Sequence, residues 1–178
     1  TMRAGVLTMG PLLSRYPKKE IKVALGGGCA LGVRDTNWHL AGFKSLGAKN
    51  NLHKGYVNIS SQKGLNGNNY KFPKVTVTGT SNLIMASIFA KGTHFIKNIS
   101  IEPEVIDLIN FLNNSGAKIK FLGKRSIKIT GIKELINGSH TIIGDRIEAF
   151  SYLCVGAITN GKIKINNINP NHLRSEIM

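Results

Sequence analysis

A cysteine in a glycine-rich stretch is the residue of this sequence whose surroundings most clearly suggest chemistry. Cys29 follows three consecutive glycines at positions 26–28, and Arg34 comes five residues after it. Consecutive glycines weaken helices and strands because they lose the most backbone entropy on ordering, so they indicate a loop that turns sharply or admits a ligand closely. A nearby guanidinium favours the thiolate form of a cysteine and binds anions. The stretch predicts a reactive thiol beside an anion site; the alternative is an ordinary surface loop with an incidental cysteine.

Regular elements are expected on both sides of this stretch. The alternating residues 21–25 predict a strand that leads into it. The apolar spacing in residues 37–46 predicts a short helix after it, and Gly47 is placed to end that helix. A helix is also predicted near residues 2–13, with apolar residues on one face. The glycine-rich stretch should therefore connect a strand to a helix.

The remaining sequence alternates between helical and extended patterns. Helices are predicted at 82–89, from Glu102-Pro103-Glu104 to Gly116, and at 149–158 behind Asp145. Strands are predicted at 50–53, 56–60, 93–99, 118–122, 126–130 and 162–165, with a short extended run at 74–77 and a loop at 61–70. Mixed helices and strands in this order indicate an α/β protein.

Two pairs of glycine landmarks recur at one spacing. Gly47 and Gly116 each precede an alanine and lie 69 residues apart, and Gly92 and Gly161 lie the same distance apart. This period is longer than that of the common solenoid repeats. It predicts a small α/β unit duplicated around a pseudo-symmetry axis, with the glycine-rich stretch inserted in the first copy and a third copy left incomplete.

The chain is strongly basic, with a net charge of +15 over 178 residues. Such a charge suits a nucleic-acid binder. Most lysines, however, occur singly and alternate with apolar residues, as they do on the solvated faces of strands, and the few aromatic residues form no stacking platform. Nucleic-acid binding is therefore the lesser alternative. A hydrophobic content of 42% argues against disorder, and no apolar run is long enough to span a membrane.

Several chemistry-bearing residues are more simply explained by structural roles. Cys154 lies in an apolar helical pattern and is expected to be a buried thiol, reduced like Cys29 in a cytoplasm. Asp145 and Glu148 fit a capping box, and Glu104 fits a first-turn helix acid. His39 is expected to be a packing histidine. The five histidines show no metal-ligand spacing, so we expect neither a metal nor a cofactor.

Several short motifs, in their order and spacing, resemble those of the UDP-N-acetylglucosamine enolpyruvyl transferase family. They are Thr1-Met2-Arg3-Ala4, Gly10-Pro11-Leu12, Gly27-Gly28-Cys29-Ala30-Leu31-Gly32-Val33-Arg34, His39, Leu46-Gly47-Ala48, Glu102-Pro103-Glu104 and Asp145-Arg146-Ile147-Glu148. The resemblance runs along essentially the whole chain and covers less than half of a full-length member. Its most specific part is the stretch from Gly27 to Arg34.

The resemblance implies an α/β (α+β) fold, an inside-out α/β barrel built from repeated α/β subdomains, here incomplete. Helices would lie inside and sheets outside. Residues 1–144 would form most of one pseudo-threefold domain, with two repeat units. Residues 145–178 would begin the returning second domain, which is truncated.

The resemblance also implies an activity, namely transfer of the enolpyruvyl group of phosphoenolpyruvate to the 3-hydroxyl of UDP-N-acetylglucosamine, with release of phosphate. This is the first committed step of bacterial peptidoglycan synthesis. Cys29 would be the general acid. The substrate-binding residues would be Arg3, Arg34, Asp35, Thr36, Asn37, Trp38, Lys74, Val75, Thr76 and Val77. The partners would be the two substrates and complementary segments of a full-length enzyme.

Some positions depart from the family pattern. The family usually has proline where this chain has Gly26 and Asp35, and both changes should loosen the loop. Trp38 replaces a smaller apolar residue, and Ile101 stands where a basic residue is common. The family's Lys-Asn pair for phosphoenolpyruvate and its catalytic aspartate belong to segments outside this sequence, so we expect this chain alone to be catalytically incomplete.

Two other functions remain open. The first is that of the sister enolpyruvyl transferase of the shikimate pathway, which shares the fold but has no such cysteine loop, so Cys29 argues against it. The second is that of a non-catalytic basic binding protein that has kept the fold. Salt-dependent retention of nucleic acid without UDP-sugar binding would favour this second alternative.

Overall fold

The computed structural model describes residues 3–25 and 36–174, with Arg3 described for its backbone alone. The chain divides into two compact units, Thr1–Gly138 and Ser139–Met178.

The first unit contains four α-helices, a 3₁₀ helix and seven strands among its described residues. The helical segments are the 3₁₀ helix Arg3–Thr8, α1 (Met9–Arg15), α2 (Asn37–Ser45), α3 (Val77–Ser87) and α4 (Pro103–Asn114). The strands are β1 (Ile21–Ala24), β2 (Lys49–His53), β3 (Tyr56–Ser60), β4 (Asn69–Lys71), β5 (Thr93–Lys97), β6 (Lys118–Gly123) and β7 (Ser126–Thr130).

Helix α4 shows how the sequence determines an element of this unit. Glu102 is its N-cap residue, Pro103 occupies its first turn, and Glu104 places a carboxylate at the positive end of the helix dipole. Val105, Ile109 and Leu112, which recur at helical spacing, are buried. The helix ends before Gly116, whose φ of +92° is readily adopted only by glycine.

Two sheets cover a helical interior. One sheet has the order β1-β3-β2, with antiparallel pairs throughout, and the other has the order β4-β5-β7-β6, in which only β4 and β5 are parallel. Helix α3 packs against α1, α2 and α4. The buried residues of α3 are Gly79, Thr80, Asn82, Leu83, Ile84, Ala86 and Ser87. The predicted arrangement, helices inside and sheets outside, is confirmed within this unit.

The backbone confirms the 69-residue repeat. Gly47 and Gly116 have φ values of +90° and +92°, and each precedes a hairpin. Asn98 and Asn167, which lie 69 positions apart, both have a φ of +58°. The helix N-cap residues Thr76 and Asp145 have the same separation. Equivalent positions therefore adopt equivalent conformations in successive copies.

The second unit is built around α5 (Arg146–Ile158), followed by a 3₁₀ helix at Pro170–Leu173. The Asp145 side chain accepts hydrogen bonds from the backbone N–H groups of Ile147 (2.8 Å) and Glu148 (3.1 Å), which confirms its predicted capping role. Within residues 3–25 and 36–174, no helix combines the length and apolar character needed to cross a membrane.

Several sequence predictions need correction. Helix α3 begins at Val77, not at residue 82, so Val77 does not belong to an extended run. Tyr70 lies in β4 rather than in a loop. Residues 162–165 form no strand, because nothing in the described chain pairs with them. Cys154 is half-buried rather than buried.

Candidate functional site

The first predicted substrate segment lies at the N-terminus of α2. Thr36 is the N-cap residue, and its carbonyl accepts hydrogen bonds from the backbone N–H groups of His39 (3.0 Å) and Leu40 (3.2 Å). The half-buried Trp38 packs against the core, and its carbonyl accepts a hydrogen bond of 3.3 Å from the Tyr70 hydroxyl. Burial raises the pKa of Tyr70, which favours the protonated form that donates this bond.

The second predicted segment lies at the N-terminus of α3. Lys74 and Val75 are exposed just before the helix. Thr76 caps it, because its hydroxyl accepts the Gly79 N–H at 3.2 Å. The space around Gly79 has little room for a larger residue, since an added Cβ would lie 3.3 Å from the Phe72 ring. A cation beside the positive end of a helix is a combination suited to phosphate.

A histidine brings the first turns of α2 and α3 together. His39 Nε2 lies 3.4 Å from the Thr78 hydroxyl, and His39 Nδ1 lies 3.0 Å from the amide nitrogen of Asn82. Because the nitrogen of the Asn82 amide can only donate, Nδ1 is the acceptor and Nε2 carries the proton toward Thr78. His39 is buried, which confirms the predicted packing role. Its contact with Thr78 places the starts of both predicted segments' helices side by side.

Asn82 extends this connection to a third segment. Its Nδ2 also donates to the carbonyl of Val6 at 2.9 Å, and its Oδ1 accepts the Gly10 N–H at 2.7 Å. Val6 belongs to the 3₁₀ helix that begins at Arg3. Asn82 was not predicted from the sequence as a site residue. The available signal was an amide side chain directly before the apolar run 83–86 of the same helix.

The predicted site residues divide into two groups. The first group lies within the described residues, at the N-termini of α2 and α3, and comprises Thr36, Asn37, Trp38, Lys74, Val75, Thr76 and Val77. Outside the described residues lie Cys29, Arg34 and Asp35, together with the side chain of Arg3. The structure therefore brings the first turns of α2 and α3 together. Substrate binding at these turns and the role of the cysteine loop stay predictions.

Other features of the first unit lie apart from these segments. A surface cavity of about 420 Å³ beside β6 and β7 is lined by Asn113, Ala117, Lys118, Ile119, Lys120, Lys128 and Thr130, none of them a predicted site residue. Burial lowers the pKa of His94. In the part of the chain that the structure describes, no three His, Cys, Asp or Glu side chains cluster as metal ligands would.

Comparison with known families decides the relationship. The model of the EPSP synthase (3-phosphoshikimate 1-carboxyvinyltransferase) family matches residues 1–178, the whole of this sequence. The chain belongs to this family. Within the EPSP synthase family, its most similar curated relatives include proteins named UDP-N-acetylglucosamine 1-carboxyvinyltransferase, which confirms the resemblance drawn from the motifs.

Three such relatives come from different bacteria. The Pelagibacter ubique protein is 46% identical over 99% of this chain, and the chain covers 42% of that protein. The Helicobacter pylori (strain 26695) protein is 47% identical over 98% of the chain, and the Trichlorobacter lovleyi protein 45% identical over 97%; the chain covers 41% of each. The chain thus spans about two-fifths of the length of these relatives.

Solved structures of enolpyruvyl transferases confirm the fold. The enolpyruvyl transferase NikO from Streptomyces tendae matches 84% of this chain with a TM-score of 0.67, at 20% identity and over 36% of its own length. EPSP synthase from Acinetobacter baumannii matches 88% of this chain with a TM-score of 0.64, at 19% identity and over 35% of its own length. At these identities the likeness concerns the fold alone.

Proposed function

We propose that this chain serves as part of an enolpyruvyl transferase that acts on UDP-N-acetylglucosamine. In the proposed reaction the sugar 3-hydroxyl gives up its proton as its oxygen bonds to C2 of phosphoenolpyruvate. The bond from C2 to the phosphate oxygen breaks, and the phosphate leaves with that proton. A proton is added to the methylene carbon and later removed, so the vinyl group is restored. The observation that carries the proposal is 46% identity along 99% of the chain to a protein named for this transfer.

The cysteine loop is proposed to provide the proton. Cys29 would deliver it to the methylene carbon, which needs a thiol on a backbone able to approach the substrate, and three consecutive glycines support that approach. Arg34 and Arg3 would bind anionic groups of the substrates. Asp35 would line the same site.

The nucleotide is proposed to bind at the N-termini of α2 and α3. Thr36, Asn37 and Trp38 would line one side, and residues 74–77 the other. The contact between His39 and Thr78 supports this, because it puts two positive helix ends side by side where a diphosphate carries negative charge. Lys74 is exposed beside them and would provide a cationic side chain.

The complete enzyme is proposed to need further polypeptide as a partner. The chain covers 41–42% of its curated relatives. Helix α5, the repeat counterpart of the buried α3, exposes Tyr152 (55%), Val155 (51%) and Ile158 (85%). Such an apolar face supports packing against additional segments. We also propose that the chain divides into residues 1–144 and 145–178. The enzyme is further proposed to act in peptidoglycan synthesis and to lie in the cytoplasm.

Cysteine-directed labelling tests the catalytic half of the proposal. The chain would be incubated at neutral pH with the epoxide fosfomycin, with and without UDP-N-acetylglucosamine, and the modified residue identified by peptide mass. We expect an adduct at Cys29, with Cys154 as the internal control for nonspecific alkylation and Cys29→Ser as the unlabelled variant. No adduct under either condition, or equal labelling of both cysteines, would contradict a competent thiol site.

A second function has one specific observation in its favour. Lysines face one another on the outer face of the four-stranded sheet, where Lys71 pairs with Lys97 and Lys120 pairs with Lys128. Three of these lysines are exposed, and Lys128 is half-buried. Like charges opposite one another destabilise a sheet, so a polyanion could compensate them. Retention on a DNA column that falls steeply with salt, together with no UDP-sugar binding, would favour this function over the transferase.

A further inference from the structure

We propose that Asn82 is a positioning residue that holds together the three segments carrying the proposed substrate-binding residues. The inference rests on the proposed function, since it concerns the geometry of that same nucleotide site. Asn82 itself does not contact substrate in this account; it acts through the backbone and side chains that its amide joins.

The contacts of Asn82 reach each segment separately. Its Nδ2 donates to the Val6 carbonyl at 2.9 Å, in the 3₁₀ helix that begins at Arg3. The same nitrogen donates to His39 Nδ1 at 3.0 Å, in the helix turn that contains Trp38. Asn82 lies in α3, whose first turn follows Lys74. One side chain thus connects segments that are more than thirty residues apart in sequence.

The environment leaves the amide no alternative arrangement. Asn82 is fully buried, and both of its N–H groups are used by the two acceptors. Its oxygen accepts the Gly10 N–H at 2.7 Å. A Cβ at Gly10 would overlap the backbone carbonyl of Asn82, so α1 approaches α3 here too closely for any residue larger than glycine. Removing the amide would take a hydrogen-bond partner from the Val6 carbonyl, the Gly10 N–H and His39 Nδ1 at once.

The consequence is a predicted loss of nucleotide affinity that stability loss alone does not explain. Binding residues held by separate segments must keep their relative positions, and small displacements reduce affinity strongly. We expect Asn82→Ala to weaken UDP-N-acetylglucosamine binding by about tenfold or more. A residue that stabilised the core without positioning the site would leave the affinity of the folded fraction unchanged.

The test is a titration of UDP-N-acetylglucosamine followed by the fluorescence of Trp38, the only tryptophan of the chain. The matched control is Asn113→Ala. Asn113 also bridges two elements through its amide, with bonds of 3.0 Å to both the carbonyl and the N–H of Ile119, but it touches none of the three segments. We expect wild-type affinity for Asn113→Ala and a weakened affinity for Asn82→Ala. Equal affinities of the two variants would overturn the proposal.

A second pair of variants covers the case in which Asn82→Ala does not fold. His39→Asn keeps an acceptor near the position of Nδ1, whereas His39→Leu removes it. We expect His39→Asn to bind the nucleotide more tightly than His39→Leu. Equal binding by these two variants would contradict the role of the link between His39 and Asn82.

Hydrogen exchange separates failure of this inference from failure of the proposed function. The variant is Asn82→Ala, or His39→Leu if Asn82→Ala does not fold, and the reference is Asn113→Ala. We expect the rate of amide exchange to rise together in residues 4–10, 36–40 and 74–80. If the wild-type chain binds no UDP-sugar, the proposed function fails while this exchange pattern still decides whether Asn82 couples the segments. Exchange that rises in α3 alone would refute the coupling.

Discussion

Replacing Gly10 by alanine tests the helix crossing at the centre of the first unit. By helix propensity alone the change should stabilise α1, because glycine is less favourable than alanine by about 1 kcal/mol in a helix interior. The structure predicts the opposite, since the added methyl would overlap the backbone carbonyl of Asn82, whose carbon would lie only 3.1 Å from it.

The magnitude follows from two costs at that contact. Overpacking of a close-packed interior typically costs about 1–3 kcal/mol. Moving α1 away would also stretch the 2.7 Å bond from the Gly10 N–H to Asn82, and an unpaired buried group costs about 1–3 kcal/mol. Set against the propensity gain, we expect a net loss of about 1–5 kcal/mol in the free energy of unfolding.

The assay is urea unfolding followed by the fluorescence of Trp38, which reports on the first unit. The matched control is Gly5→Ala, in the preceding 3₁₀ helix, where an added Cβ would meet no atom within 4 Å. Gly5→Ala should leave the free energy of unfolding within about 0.5 kcal/mol of wild type or raise it slightly. A Gly10→Ala variant as stable as Gly5→Ala would refute the crossing geometry.

Three further outcomes are expected. Burial holds the pKa of His94 below its usual 6.5, so below that pH the unfolded chain binds more protons than the folded chain. The free energy of unfolding should therefore fall as the pH drops, by up to about 1.4 kcal/mol per pH unit. His94→Leu should lose this pH dependence when urea unfolding is compared at pH 7.5 and 5.5. Thr76→Ala should lower the free energy of unfolding by about 1 kcal/mol because it removes the N-cap hydrogen bond of α3, as measured by thermal unfolding. Thr76→Ser keeps a hydroxyl at the cap and should retain most of the wild-type stability. Lys120→Glu should raise the free energy of unfolding by about 0.2–1 kcal/mol, because it replaces the like-charged cross-strand partner of Lys128. In the same assay, 1 M NaCl should abolish this gain by screening the charges.

Much of the fold was predictable because local signals and burial agree. The Lys54-Gly55 turn, the glycine stops and the α4 start each combine a backbone requirement with a residue type that meets it. The start of α3 was mispredicted because Val77, Thr78 and Gly79 are poor helix formers, and tertiary packing with the Thr76 cap overrides their propensity. Strand β4 depends on parallel pairing with β5, which no local pattern reveals.

The candidate site was predictable as a set of segments but not as an arrangement. Motifs located the residues at the starts of α2 and α3, whereas the side-by-side placement of these starts depends on His39, which sequence analysis could assign only to packing. Asn82 escaped prediction because its importance lies in three partners distant in sequence. Such convergence appears only once the chain is folded.

Titration of the chain with UDP-N-acetylglucosamine, read by Trp38 fluorescence, tests the central claim most directly. Shikimate 3-phosphate and inorganic phosphate serve as parallel ligands, and Lys74→Ala as the variant. We expect a saturable change with the UDP-sugar, which is weakened in Lys74→Ala and absent with shikimate 3-phosphate. No saturable change with the UDP-sugar, or an equal response to shikimate 3-phosphate, would contradict it.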